Sequence, residues 1–245
     1  MRRDTRTPSF VNAVLRLVET AGLREESRHA ARERLSQVAS AVTGDPRQQT
    51  DANAELLFCM TLLLFARVEH LYGDGSHEKL SFHPTFQNHP HSMVCPVADD
   101  HDTFGVTVGR HATTWEGVFY EVAHEMVHFL NPVASAHEKQ LATLEEGVAV
   151  KFAETTYREL ISAYTGNPPQ ISPVTTPDSR YYPAFKATNK IPDGVLAAVR
   201  ARFVSFSGVN DVVAFGALTS EYLEQHEIEL LMTPFFYPAP SILTK

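Results

Sequence analysis

The chain has 245 residues, of which 43% are hydrophobic and 20% charged, and a formal net charge of −8. That balance supports a sizeable core in one compact domain, and the negative sign argues against a nucleic-acid partner. Cys59 and Cys95 lack zinc-finger spacing and are expected as free thiols, and with no export signal read in the chain a cytoplasmic location is expected.

Residues 1–7 are polar and basic and read as a tail. From Phe10 to Ala21 the apolar residues Val11, Val14, Leu15 and Val18 fall at helical spacing, and Gly22 ends the pattern. Arg24 to Val42 predicts a second helix, with Leu35, Val38 and Val42 on one face and a solvated, charge-rich opposite face. After the turn Thr43-Gly44-Asp45-Pro46, a third helix is expected to run from a cap at Asp51 or Asn53 to Leu71. Its apolar middle, Leu56 to Ala66, marks a core helix and is too short to span a bilayer, so no membrane partner is expected.

Residues 73–102 carry Gly73, Gly75, Pro84, Pro90 and Pro96 and read as largely irregular. They hold five histidines, His77, His83, His89, His91 and His101. A second metal site built from His89 and His91 with Asp99, Asp100 or Asp102 is conceivable, but no spacing there fixes two ligands on one face. Met93–Val97 predicts a short strand that Pro96 confines to an edge. Thr103–Gly109 alternates like a half-buried strand.

Thr113-Thr114-Trp115-Glu116 has the form of a capping box and opens the next helix; Asn131-Pro132 stops it. Val118, Phe119, Val122, Ala123, Met126, Val127 and Phe129 make that helix largely buried. Within it lies His124-Glu125-Met126-Val127-His128, an HExxH motif. Residues four apart share a helix face, so His124 and His128 can offer two imidazole nitrogens to one metal ion. Glu125, about 100° round the helix, can lean over the ion without ligating it, which suits a general base beside a zinc-bound water.

Two histidines and a water leave tetrahedral zinc one ligand short. Glu145 and Glu146, in Leu144-Glu145-Glu146-Gly147-Val148-Ala149-Val150-Lys151-Phe152, are the candidates on a second helix. That helix starts at one of two capping boxes, Ser135-x-x-Glu138 or Thr143-x-x-Glu146, and runs to about Tyr164 before Gly166-Asn167-Pro168-Pro169. Gly147 is read as letting it approach the HExxH helix closely. Ile171–Lys190 predicts a long loop draped across the site. Helices are then expected over Pro192–Phe203, Asn210–Ala217 and Ser220–Met232, followed by an apolar, proline-containing segment from Thr233 to Lys245. The reading is a single domain over 1–245: N-terminal helices (1–72), a strand region with the metal-binding helix pair (73–165), and a C-terminal loop with helices (166–245).

Over about residues 103–154, the order strand, HExxH helix, Glu-Gly-x-Ala helix resembles the catalytic core of gluzincin-type zinc metallopeptidases. In that group the glutamate directly before the glycine is the third ligand, which implies Glu146 here, with Glu145 as the fallback. The chain departs from the pattern in three places. The spacing from His128 to Glu146 is one residue shorter than in the aminopeptidase-like version, Val150 stands where a supporting aspartate is common, and no Gly-rich recognition motif lies upstream. The resemblance implies a zincin-like α+β fold, mostly helical, with a small mixed or antiparallel sheet packed against the HExxH helix. It implies one Zn2+ per chain on His124, His128 and Glu146, Glu125 as the catalytic base, and a peptide or protein substrate. A Tyr, His or Arg from the C-terminal part usually steadies the oxyanion in such enzymes; Tyr222, His226, Tyr157 and Tyr181 are available. The alternative is a catalytically silent zinc-binding regulatory or interaction protein; oligomeric state is left open.

Overall fold

The computed structural model describes residues 6–76, 78–98, 100–132, 141–170, 172–175 and 180–235. Three helices open the chain: α1 (Arg6–Thr20), α2 (Glu25–Val38) and α3 (Asp51–Tyr72). α1 buries the expected stripe, including Phe10, Val11, Val14 and Val18. α2 stops at Val38, short of Val42. α3 is the core helix that its apolar run predicts, with Leu56, Met60, Leu63, Leu64 and Val68 all buried.

The cap of α3 is neither Asp51 nor Asn53 but Thr50, whose Oγ1 accepts the Asn53 N–H at 3.1 Å. Asn53 turns inward instead. Its Nδ2 donates to Thr43 Oγ1 and to the carbonyls of Asp45 and Gln48, and its Oδ1 accepts the Thr43 N–H. One buried amide thereby holds the 43–48 turn. The Trp115 indole N–H donates to the Thr43 carbonyl at 2.7 Å and ties that turn to the start of the HExxH helix.

The strands are β1 (Lys79–Leu80), β2 (Thr85–Phe86), β3 (Met93–Val97) and β4 (Asp100–Val108). β4 is the central strand: Phe104 pairs with Leu80 on one side and Pro96 on the other. β1 and β2 run parallel to β4, and β3 runs antiparallel. The sheet is therefore mixed, the first of the two expected forms, and parallel in two of its three pairings, which rules out the antiparallel alternative. The two parallel strands are two-residue fragments, too short for an alternating pattern to reveal them. β3 is the edge strand that Pro96 predicts, paired among the described residues with β4 alone. Phe104, Val106 and Val108 alternate inward and are buried.

α4 (Trp115–Phe129) follows β4 and packs between α3 and α5 (Thr143–Tyr157). Its cap is Thr114, one residue later than predicted, accepting the Gly117 N–H at 3.1 Å. α5 continues through a π-turn (Arg158–Ser162) and α6 (Ala163–Thr165) to Gly166 at φ +70°, the expected left-handed stop. The Ser135 start lies outside the described residues, as do His77, Asp99 and most of the segment after Thr233.

The predicted loop over 171–190 contains a helix, α7 (Tyr181–Thr188). Pro183 disguises it, yet sits in the first turn, where a missing N–H leaves no bond unmade. α7 also explains Gly147. A Cβ there would lie 2.7 Å from the Ala184 carbonyl oxygen and from the Thr188 side chain, so the close approach is to α7 and not to α4. α8 (Asp193–Phe203), a 3-10 turn (Phe206–Gly208), α9 (Val212–Thr219) and α10 (Gln225–Met232) complete the described chain. α10 begins later than expected, at a Glu224–Glu227 capping box. Among the described residues no helix is long and apolar enough to cross a membrane.

Candidate metal centre

On α4, His124 and His128 stand one turn apart with ring centroids 5.1 Å from each other. Their Nε2 atoms converge to 3.3 Å. α5 crosses beside them and brings the Glu146 carboxylate into the same space, Oε2 at 3.4 Å from His124 Nε2 and Oε1 at 3.5 Å from His128 Nε2. Among the described residues, these three form the one group of acidic, His or Cys side chains that could hold a metal ion.

The donor set fits zinc. A tetrahedron with corners about 2.0–2.1 Å from its centre has edges of about 3.3–3.4 Å, and those radii are the bond lengths of zinc to imidazole nitrogen and carboxylate oxygen. The two Nε2 atoms stand at such an edge, 3.3 Å apart, and the Glu146 carboxylate turns one oxygen to each, Oε2 to His124 and Oε1 to His128, with one donor atom from each of the three residues within 4.8 Å of the others. Charge points the same way. Glu146 is wholly buried, and Glu125 and Glu145 are nearly so. Burying carboxylates is costly unless a cation compensates them.

Glu145, the fallback ligand, takes a different place. Its Oε1 lies 2.9 Å from His128 Nδ1. A carboxylate accepting from Nδ1–H leaves the Nε2 lone pair facing Glu146 and His124, the tautomer that a metal requires. Two adjacent glutamates thus meet the two nitrogens of one ring. Burial alone would disfavour an imidazolium at His128, but Glu146, Glu145 and Glu125 outweigh it, and without metal its pKa is pushed up to about 10. Burial raises the Glu125 carboxyl above its ordinary range, with the two histidines pulling it back.

Glu125 and His124 face a cleft of about 250 Å3, which His91, Glu121, Tyr181 and Ser172 also border. Of the four side chains available as an oxyanion partner, Tyr181 reaches this cleft, with its ring 6.2 Å from that of His124. Tyr157 is packed against Phe119 and Tyr120, and the exposed His226 pairs with Glu224. Tyr222 packs against the hydrophobic core. His91 comes from the His-rich segment, and burial lowers its pKa, favouring a neutral ring. His89, Asp100 and Asp102 join no second metal group among the described residues.

One supporting network escaped the sequence reading. Tyr120, one turn before His124, donates to Glu154 Oε1 at 3.2 Å, and Ser172 donates to the same oxygen. Arg158 binds the other carboxylate oxygen at 3.1 Å. Glu154 thereby joins both site helices to the cleft wall at Ser172. The spacing offered a signal: Glu154 lies two turns beyond Glu146, on about the same face of α5. Comparison with protein-family models, with curated proteins and with solved structures gives no significant match.

Proposed function

We propose that the protein is a zinc-dependent peptidase that hydrolyses peptide or amide bonds in the cleft beside α4. The observation that carries this reading is the convergence of His124, His128 and Glu146 on one point, with the buried Glu125 at the open cleft. When bound, zinc supplies the Lewis acidity that makes a water nucleophilic near neutral pH.

The chain's own groups then divide the work. Glu125 accepts the proton of the attacking water at its carboxylate and delivers it to the leaving amine nitrogen. Glu145 holds His128 in the tautomer with Nε2 unprotonated. Tyr181 supplies a phenol on the cleft wall for the developing oxyanion. β3 offers an edge along which an extended peptide can add as a strand, leading past Ser92 and His91 into the cleft.

The test begins with metal content of the purified, untagged protein beside His128→Ala and Glu146→Ala. About one zinc per chain, lost in both variants, is expected. Hydrolysis of a mixed peptide library, abolished in Glu125→Gln with its zinc retained, then identifies the enzyme. Zinc without hydrolysis of any peptide would leave a zinc-binding protein. No metal uptake, even after reconstitution with zinc, would end the reading.

A further inference from the structure

The helix that carries Glu145 and Glu146 does not cap itself. The residue at its N-cap is Ala142, which has no side-chain acceptor. The Ala142 carbonyl takes the Glu145 and Glu146 amides, but no cap side chain is there for the amide of Thr143, and an unmade bond is costly at a buried helix end. The partners come from far along the chain. Thr143 N–H donates to the Thr233 carbonyl at 2.9 Å, and the two threonine hydroxyls lie 3.0 Å apart. Ala142 N–H donates to Ser207 Oγ at 3.0 Å. Ala142 and Pro234 form an antiparallel bridge, extended by the Phe235 N–H bond to the Leu141 carbonyl at 2.7 Å.

The same short segment reaches the other site helix. Phe235 is buried, and its ring lies 4.8 Å from that of Tyr181, which in turn packs on His124. Residues 233–235 therefore touch the start of α5, immediately before the two site glutamates, and the aromatic wall beside a site histidine. Neither contact is needed to fill the α1–α3 core.

We propose that Thr233–Phe235 is a positioning strap for the metal centre: it sets the entry of α5, and so the placement of Glu145 and Glu146, and seats Tyr181 against His124. This inference rests on the metal-site reading above. Coupling of this kind is reciprocal, so a metal bound at the triad holds the strap down as firmly as the strap favours the metal.

The experiment uses the untagged full chain, stripped of metal, with zinc affinity read by competition against a chromophoric chelator. Three strap variants are compared: Phe235→Ala, Phe235→Leu and Thr143→Pro. The last removes the N–H that Thr233 accepts at a helix position where proline is well tolerated. Leu17→Ala, in the distant α1 core, controls for general loss of stability. A second readout is amide exchange at Thr143 and Phe235 in the parent, with and without zinc. Zinc affinity is expected to fall about tenfold or more in Phe235→Ala and Thr143→Pro. Phe235→Leu should fall less and Leu17→Ala stay level, while zinc slows exchange at both amides. Variants that bind zinc like the parent, with exchange indifferent to zinc, would overturn the strap alone. A parent that takes up no zinc would overturn the metal centre, and the strap with it. If a variant fails to fold, exchange in the parent decides.

Discussion

Two long helices cross the interior and bury opposite kinds of residue. Apart from Asn53, Thr61 and Arg67, the buried face of α3 is apolar or aromatic. α5 is at least as deeply buried, yet it takes Glu145, Glu146, Lys151, Glu154 and Thr156 inside with it. Most of these polar groups have a dedicated partner. Glu145 has His128, Lys151 has Asp193 and the Ile191 carbonyl, and Glu154 has Tyr120, Ser172 and Arg158. α3 works by volume and would tolerate other apolar residues of similar size. α5 works by matched pairs, each of which is costly if one member is lost. Helices alike in burial therefore differ in what they contribute: α3 holds the fold together, and α5 holds chemistry in place.

The sharpest way to break this contrast is a pair of truncations. Glu146→Ala should abolish metal binding, read as metal per chain, while the chain stays folded. Leu63→Ala in α3 should do the reverse, costing about 2–5 kcal/mol in a urea titration with metal stoichiometry unchanged. Next in size, Glu125→Gln should lower peptide hydrolysis by about 100- to 10,000-fold with metal retained, because it removes only proton transfer. Smaller again, Glu145→Gln should weaken zinc by about 10- to 100-fold, since the ligand set survives and only the orienting acceptor of His128 is impaired.

The last test concerns pH. In the metal-free protein the pKa of His128 is raised from 6.5 to about 10. The folded state then binds that proton more tightly than the unfolded chain does. Its stabilising contribution is complete below pH 6.5 and is lost as pH rises through about 10. Unfolding of the stripped protein across that range should show the loss, and His128→Asn should lack it. Zinc takes the place of that proton, so zinc binding at pH 8 should release it, measurable as a dependence of the binding heat on the buffer.

Much of the fold was legible wherever its signal was local. The stripe of α1, the apolar middle of α3, the alternation of β4 and the Gly166 stop each depend on neighbours within a turn or two. The caps were misplaced by a residue or more because Thr113 and Thr114, or Thr50, Asp51 and Asn53, are chemically similar, and only backbone geometry chooses among them. α7 was hidden by Pro183, whose place in a first turn cannot be known before the helix is. The short strands β1 and β2 show only when β4 lies beside them. At the site, Glu146 rested on a resemblance until α5 was placed, and the proximity of Glu145 to His128 Nδ1 had no signal of its own.

By itself, then, the sequence determined that two imidazoles and a carboxylic acid share one buried helix, because 3.6 residues per turn makes an i, i+4 pair a local fact. Tertiary structure decided the rest: which of two adjacent glutamates faces the Nε2 atoms, that Tyr181 borders the cleft, and that residues 233–235 close the start of α5. These depend on how separately formed helices dock, and docking is governed by burial and pairing between residues far apart in the chain, 90 positions in the case of Thr143 and Thr233.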